Sequence, residues 1–86
     1  MKKFVIKDTI INQETKETLV YFTGKDGYVH SYPEYADGFA KKGNAMKKIQ
    51  REVNDPWLGR NQKLNENQFI EADKWLHTLE IVEIEQ

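Results

Sequence analysis

The sequence predicts an α+β domain in which one amphipathic helix packs on an antiparallel sheet. Three observations predict this fold class. Runs rich in β-branched and aromatic residues lie at both ends of the chain, an Asp-Gly turn signal separates two of these runs, and one central stretch has apolar residues at helical spacing. The 86 residues suffice for one domain with a small core, so we predict a single domain over residues 1–86.

The N-terminal part predicts a three-stranded antiparallel meander. Residues 3–11 and 17–23 are rich in β-branched and aromatic types, and the polar residues 12–16 between them predict a turn. Asp26-Gly27 predicts a second turn, because glycine tolerates the positive φ that tight hairpins need. Residues 28–32 then alternate as a third strand, which the following proline ends.

The middle of the chain predicts the helix. Residues 33–39 first predict a single helical turn closed by Gly38. The helix is predicted over Asn44–Asn54, with Asn44 as its N-cap, and Asp-Pro after Asn54 ends it because the residue before a proline is pushed out of the helical region. Its apolar residues at positions i, i+3 and i+7 are Met46, Ile49 and Val53.

The C-terminal part predicts one or two further strands. Residues 57–67 predict a loop, and the β-branched run 79–84 predicts a terminal strand. Between them two alternatives are open: a short strand over 68–72 leading to a final strand over 76–85, or a helix over 66–77. The predicted core residues are Phe4, Ile6, Val20, Phe22, Met46, Ile49, Val53, Trp57 and Ile81.

Charge is polarised along the chain although the net charge is only −1. Residues 41–63 carry seven basic and two acidic side chains, whereas residues 64–86 carry one basic and six acidic side chains. Such a local field steers a partner even where the net charge cannot. The basic stretch predicts either a surface for a partner or for phosphates, or an ordinary solvated helix face. The candidate partner-binding residues are Lys41, Lys42, Lys47, Lys48, Arg51, Trp57, Arg60 and Lys63.

Two further groups of side chains each have two interpretations. Acids near the C-terminus either mimic phosphates or protect an exposed sheet edge from aggregation. These acids are Glu71, Asp73, Glu80, Glu83 and Glu85. Tyr28, His30 and Tyr32 share one face of the predicted third strand, and they form either core or, if that face is exposed, a recognition surface.

The sequence contains no motif for catalysis, a cofactor or a metal ion. The absence of cysteine excludes disulfides, thiol catalysis and thiolate metal sites. His30 and His77, even together with Asp73, lack the spacing of a known metal site, and no glycine-rich nucleotide loop or nucleophile elbow occurs. No apolar run reaches the roughly 18 residues of a membrane span. We therefore predict an intracellular protein that is not an enzyme and has no cofactor.

Four segments resemble, in their layout, small uncharacterised accessory proteins of bacteriophages of Gram-positive bacteria. They are Phe4-Val5-Ile6-Lys7, the Tyr35-Ala36-x-x-Phe39 turn, the stretch Lys41-Lys42-Gly43-Asn44-Ala45-Met46-Lys47-Lys48 and the closing Leu79-Glu80-Ile81-Val82-Glu83-Ile84. The resemblance spans most of the chain and supplies no catalytic residues.

This resemblance implies an accessory protein made in the cytoplasm of an infected or lysogenic bacterial host. Many such proteins bind a host or phage macromolecule, for example as inhibitors of a host defence enzyme, and we expect a protein partner. The alternative is a nucleic-acid-binding protein that uses the basic stretch 41–63, although arginine, the side chain best suited to bidentate phosphate contacts, occurs only twice in the chain. Self-association as a homodimer is the third hypothesis.

Overall fold

The computed structural model describes residues 1–54 and 60–85, together with the side chains of residues 1–54 and 62–85. Five strands, one 3-10 turn and one α-helix follow each other along the chain. They are β1 (Lys2–Asn12), β2 (Thr18–Thr23), the 3-10 turn Pro33–Tyr35, α1 (Lys42–Asn54), β3 (Arg60–Asn65), β4 (Gln68–Glu71) and β5 (Trp75–Glu85).

The five strands form one antiparallel sheet with the order β2-β1-β5-β4-β3, and the helix packs on it. This confirms the predicted fold class. The centre of the sheet joins the two ends of the chain, because β1 pairs with β5 over eleven residues, from Lys2 opposite Glu85 to Asn12 opposite Trp75. Both central strands are β-branched runs, which suit a half-buried pleated surface.

The hydrophobic core lies between α1 and one face of the sheet. Its buried members are Ile6, Phe39, Ala45, Ile49, Val53, Phe69 and Leu79, and Phe4 and Ile81 pack against them half-buried. The buried stripe of the helix therefore runs through Ala45, Ile49 and Val53, at spacings of four residues that keep side chains on one face.

Three predicted core residues lie outside this core, and one is outside the described residues. Met46 is 45% exposed, because it lies at the edge of the buried stripe, about 60° around the helix from Ile49. Val20 is 39% exposed. It pairs with Thr9, so its side chain projects from the sheet face opposite the helix. Phe22 pairs with Lys7 and projects from that same face, where it is half-buried. Trp57 lies outside the described residues.

The predicted third strand of the meander is reduced to one bridge. Gly27 adopts a φ of 76° in the predicted turn, and its N–H bonds to the Gly24 carbonyl at 3.2 Å. The Tyr28 N–H then bonds to Oδ1 of Asp26 at 3.0 Å, which continues the turn through a side-chain acceptor. The chain meets β2 again only at His30, which pairs with Phe22.

The helical segments begin and end close to the predicted positions. Helix α1 ends at Asn54 as predicted but begins at Lys42, so Asn44 lies inside the first turn and is not the N-cap. The predicted turn over 33–39 is the 3-10 turn, which starts at Pro33 and is closed by the N–H of Ala36, not by Gly38.

The C-terminal region contains one strand more than the loop prediction allowed. Residues 60–65, predicted as loop, pair with β4 as β3, with two register shifts. Of the two alternatives for 66–77, the strand is correct: Gln68–Glu71 pairs with the start of β5 across a turn in which Ala72 and Asp73 have φ of 56° and 61°. No helix among the described residues is long and apolar enough to cross a membrane.

Candidate partner-binding surfaces

The segment 24–39, here called the aromatic loop, leaves the sheet after β2 and returns to it beside β1. Phe4 and Phe39 exchange two backbone hydrogen bonds of 2.7 and 2.8 Å. The N–H of Lys25 bonds to the carbonyl of Asp37 at 2.6 Å and closes the neck of the loop. Although its only regular element is the 3-10 turn, the loop is therefore fixed at both ends by main-chain contacts.

A buried lysine fixes the middle of the loop. Lys3 is only 9% exposed, and its Nζ donates to the carbonyls of Glu34 and Ala36 at 3.0 and 2.9 Å. Its aliphatic stem crosses Gly38 so closely that a Cβ at this glycine would lie 2.6 Å from the Lys3 Cδ. Hydrogen bonds from a charged donor are stronger than neutral ones, so Lys3 holds the 3-10 turn in place.

The anchored loop presents large side chains to solvent. Four large hydrophobic side chains within residues 28–35 are mostly exposed: Tyr28 (72%), Val29 (61%), Tyr32 (61%) and Tyr35 (71%). The rings of Tyr32 and Tyr35 meet edge to face with centroids 5.9 Å apart. The sequence left open whether Tyr28, His30 and Tyr32 are core or surface. Tyr28 and Tyr32 are exposed, whereas His30 is half-buried, with its Nε2 3.6 Å from Oδ2 of Asp26.

The basic helix face consists of Lys47 and Arg51, four residues apart on the side of α1 away from the core, whereas Lys41 precedes the helix and Lys42 begins it on the side of the buried stripe. All four side chains are exposed, and none forms an ion pair or hydrogen bond with another described residue. An exposed cation without a partner keeps its full attraction for a negatively charged ligand, subject to screening by salt.

The other predicted partner-binding residues have different environments. Lys48 is half-buried, donates to the Gly24 carbonyl at 3.1 Å and faces Glu52 at 3.9 Å, so it joins the helix to the aromatic loop. Lys63 donates to Oδ1 of Asn54 at 3.2 Å. Trp57 and the side chain of Arg60 lie outside the described residues.

The acidic side chains of β5 contact the lysines of β1. Glu80 lies 3.6 Å from Lys7, and Glu83 lies 3.5 Å from Lys2. All four side chains are more than a third exposed, so these pairs contribute little to stability. The basic helix face is therefore not neutralised by the acids of the last strand through any ion pair among the described residues.

His77 forms a cluster that the sequence analysis did not find. Its Nδ1 lies 3.1 Å from both carboxylate oxygens of Asp8, its Nε2 lies 3.0 Å from Glu71, and its ring stacks on Phe69 at 4.7 Å. Both ring nitrogens of His77 therefore face carboxylates of neighbouring strands. Asp8 and His77 are 69 residues apart in sequence, so no local pattern could have joined them.

The two histidines do not share a site. His30 pairs outside β2 and His77 belongs to β5, so β2 and β1 lie between them and they are at least about 14 Å apart across the sheet. Within residues 1–54 and 60–85 no group of three or more histidine, aspartate or glutamate side chains is placed to hold a metal ion.

Comparison with known proteins assigns no relative. The chain matches no protein-family model, and neither a curated protein nor a solved structure is significantly similar to it.

Proposed function

We propose that this protein acts without catalysis, by binding a macromolecular partner, and that the partner is a protein held by the aromatic loop. The observation that carries the proposal is the exposure of Tyr28, Val29, Tyr32 and Tyr35 on a segment whose backbone is fixed by Lys3 and by two strand-like bridges. Tyrosine is enriched at protein interfaces and among the residues that dominate binding energy.

The anchoring of the loop is a second argument for binding, in addition to the exposure of its side chains. A loop that must become ordered on association loses binding free energy to conformational entropy, whereas a preformed loop does not. Tyrosine itself has few rotatable bonds for its large contact area. Together these properties are expected of a recognition surface, and a solvated loop with no partner needs neither of them.

The resemblance to phage accessory proteins supports a specific version of this proposal. In that version the protein works in the cytoplasm of an infected or lysogenic bacterium, and its partner is a host or phage protein, for example a host defence enzyme that it inhibits. The clustered tyrosines are suited to this role, because an inhibitor that lacks chemistry of its own must act by occupying its target.

Capture from a host lysate with matched variants tests the proposal. The loop variant carries Tyr28→Ser, Tyr32→Ser and Tyr35→Ser, and the helix variant carries Lys47→Gln and Arg51→Gln, so that both alter only exposed side chains. We expect a protein that is retained by the wild type and the helix variant but lost with the loop variant. Capture that is insensitive to the tyrosines, or recovery of nucleic acid in place of protein, would contradict the proposal.

A nucleic-acid-binding function is the second candidate. It is favoured by four exposed cations that form no ion pair with another residue the structure describes, namely Lys41, Lys42, Lys47 and Arg51. Such binding would weaken steeply as salt is raised, because each neutralised phosphate releases counterions. Reversing Lys41, Lys42, Lys47 and Arg51 to glutamate should then abolish binding to a labelled oligonucleotide. Lys48 is best left unchanged in this test, because its contact with Gly24 makes it part of the fold.

A further inference from the structure

Strand β5 is paired on both sides in its first half and on one side in its second half. β4 pairs only with Trp75–Thr78, and one further hydrogen bond on that side joins the Leu79 N–H to the Asn67 carbonyl at 3.0 Å. β1 stays paired with β5 as far as Glu85. Within the part of the chain that the structure describes, no strand lies beside residues 81–85 on the β4 side, and this stretch is here called the open edge.

The backbone groups of three residues point out of the open edge. Successive residues of a strand direct their N–H and C=O groups, within the plane of the sheet, to alternate edges of the strand. Since the Leu79 N–H points towards β4, the N–H and C=O groups of Ile81, Glu83 and Glu85 also point away from β1. Val82 and Ile84 point the other way, opposite Val5 and Lys3. The open edge therefore offers a row of main-chain donors and acceptors at strand spacing.

A cleft lies between this edge and the helix. It has a volume of about 250 Å³ and an apolar wall formed by Met46, Ile49 and Ile81, with Lys42 and Glu66 among its polar lining. Pockets that hold drug-sized ligands have volumes of roughly 300–1,000 Å³, so this cleft is better matched to one or two side chains of a docked segment. The exposed Met46 side chain would contact a side chain that enters this cleft.

The charges around the open edge select the partner. Glu66 and Glu85 are exposed and form no ion pair with another described residue, and Glu83 faces Lys2 only across an exposed 3.5 Å contact. A second copy of this chain would bring another acidic β5 against the first, and like charges on adjoining strands repel. A strand that carries lysine or arginine would instead complement these carboxylates.

We infer that the open edge of β5 binds an extended, basic and apolar segment of a partner protein, which adds to the sheet as an antiparallel strand. Strand addition of this kind draws affinity from main-chain hydrogen bonds and specificity from alternate side chains. The inference concerns a different surface from the aromatic loop and does not depend on it.

The register of the edge defines the side chains that the added strand should carry. Residues directly opposite each other on antiparallel strands project to the same face. The residue opposite Ile81 would enter the cleft beside Met46 and should be apolar. The residues opposite Glu80 and Glu83 should be basic. Those opposite Val82 and Ile84 would extend the second sheet face and should be apolar.

A blocked synthetic peptide with the sequence Lys-Val-Lys-Val-Leu-Lys-Ser provides the probe, read by NMR on the labelled full-length protein. In the free protein, the amides of Ile81 and Glu83 should exchange at least about tenfold faster than those of Val82 and Ile84. Adding the peptide should protect the Ile81, Glu83 and Glu85 amides and shift the Met46 methyl signal. Equal protection of all five amides in the free protein, or no change on adding peptide, would overturn the inference.

Two substitutions of Glu83 distinguish the contribution of the backbone to peptide binding from that of the charge. Glu83→Pro removes an N–H that points outward and leaves the β1 ladder intact, so it should abolish peptide binding. Glu83→Gln keeps the backbone and should weaken binding by up to about fivefold. Should Glu83→Pro fail to fold, a peptide N-methylated on the residues that face β5 replaces it, and this peptide should not bind.

Three outcomes would overturn strand addition: full binding of the methylated peptide, full binding by the proline variant, or a sedimenting dimer that the proline variant converts to monomer. The loop variant with its three tyrosines replaced by serine should bind the peptide as the wild type does. Loss of the lysate partner in that variant together with retained peptide binding would show that the two surfaces act separately.

Discussion

The aromatic loop and helix α1 contribute to the same core but expose different chemistry. The loop inserts Phe39 and the helix inserts Ala45, Ile49 and Val53, yet the loop exposes tyrosines and the helix exposes lysines. Charged residues on the outer face of a surface helix are ordinary and need no functional reason. Exposed aromatic side chains gathered on one loop are less ordinary, since large exposed apolar patches mark interaction sites. The comparison therefore favours the loop as the partner-binding surface.

The two segments also differ in how their backbones are satisfied. A helix pairs most of its own N–H and C=O groups, so its position depends mainly on the side chains of the buried stripe. The loop must find partners elsewhere, and it finds them on Lys3, Phe4 and Phe22. Small changes at the loop contacts should therefore lower the free energy of unfolding, whereas matched changes on the helix should not.

The largest effect is expected for Gly24→Ala. A Cβ at Gly24 would collide with the main chain of Asp37 at the neck of the loop, and overpacking of this kind costs about 2–3 kcal/mol. The matched change Gly43→Ala meets nothing within 4 Å and should instead stabilise the helix by about 0.5–1 kcal/mol. Urea unfolding of the two variants measures both values. Similar midpoints would show that the loop neck is not tightly packed.

Replacing the loop's buried anchor comes next. Lys3→Met keeps the aliphatic stem but removes two charge-assisted hydrogen bonds, and we expect unfolding to become easier by about 2 kcal/mol. The control is its neighbour: Lys2→Met breaks only an exposed pair with Glu83 and should change stability by at most about 1 kcal/mol. Thermal unfolding of both variants tests this prediction. An equal loss of stability in the two variants would show that Lys3 does not anchor the loop.

The link between the two segments should have a smaller effect. Lys48→Met removes the contact from the helix to the Gly24 carbonyl, with an expected loss of about 1 kcal/mol. Lys47→Met, one residue earlier and exposed, should change stability by less than about 0.5 kcal/mol. Chemical denaturation of the pair gives the comparison. A loss at Lys47 that matches the loss at Lys48 would mean that the helix and the loop are not joined through this contact.

The sequence predicted the features that depend on local pattern. The β-branched runs of β1 and β5, the turn at Gly27 and the end of α1 at Asn54 all follow from residue type and spacing. β3 escaped prediction because its residues are almost all polar and show no alternation, so only its pairing with β4 makes it a strand.

The candidate surfaces were harder to predict from the sequence. The pattern of Tyr28 and Tyr32 fits a core strand as well as an exposed loop, and the outcome depends on Asp26 continuing the turn. The open edge arises because β4 is shorter than β5, and the Asp8–His77 contact joins neighbouring strands that are far apart in the sequence. Each of these features is a property of strand pairing between segments far apart in the chain, which periodicity within one segment does not report.

The most direct test of the central claim is calorimetric titration of the captured partner with two double variants. Tyr32→Ala with Tyr35→Ala removes the edge-to-face pair of the aromatic loop, and Lys47→Ala with Arg51→Ala removes two charges of the basic helix face. We predict that the tyrosine variant loses at least about 100-fold in affinity and the helix variant less than about fivefold. The reverse order, with affinity that falls steeply as salt is raised, would contradict recognition by the loop.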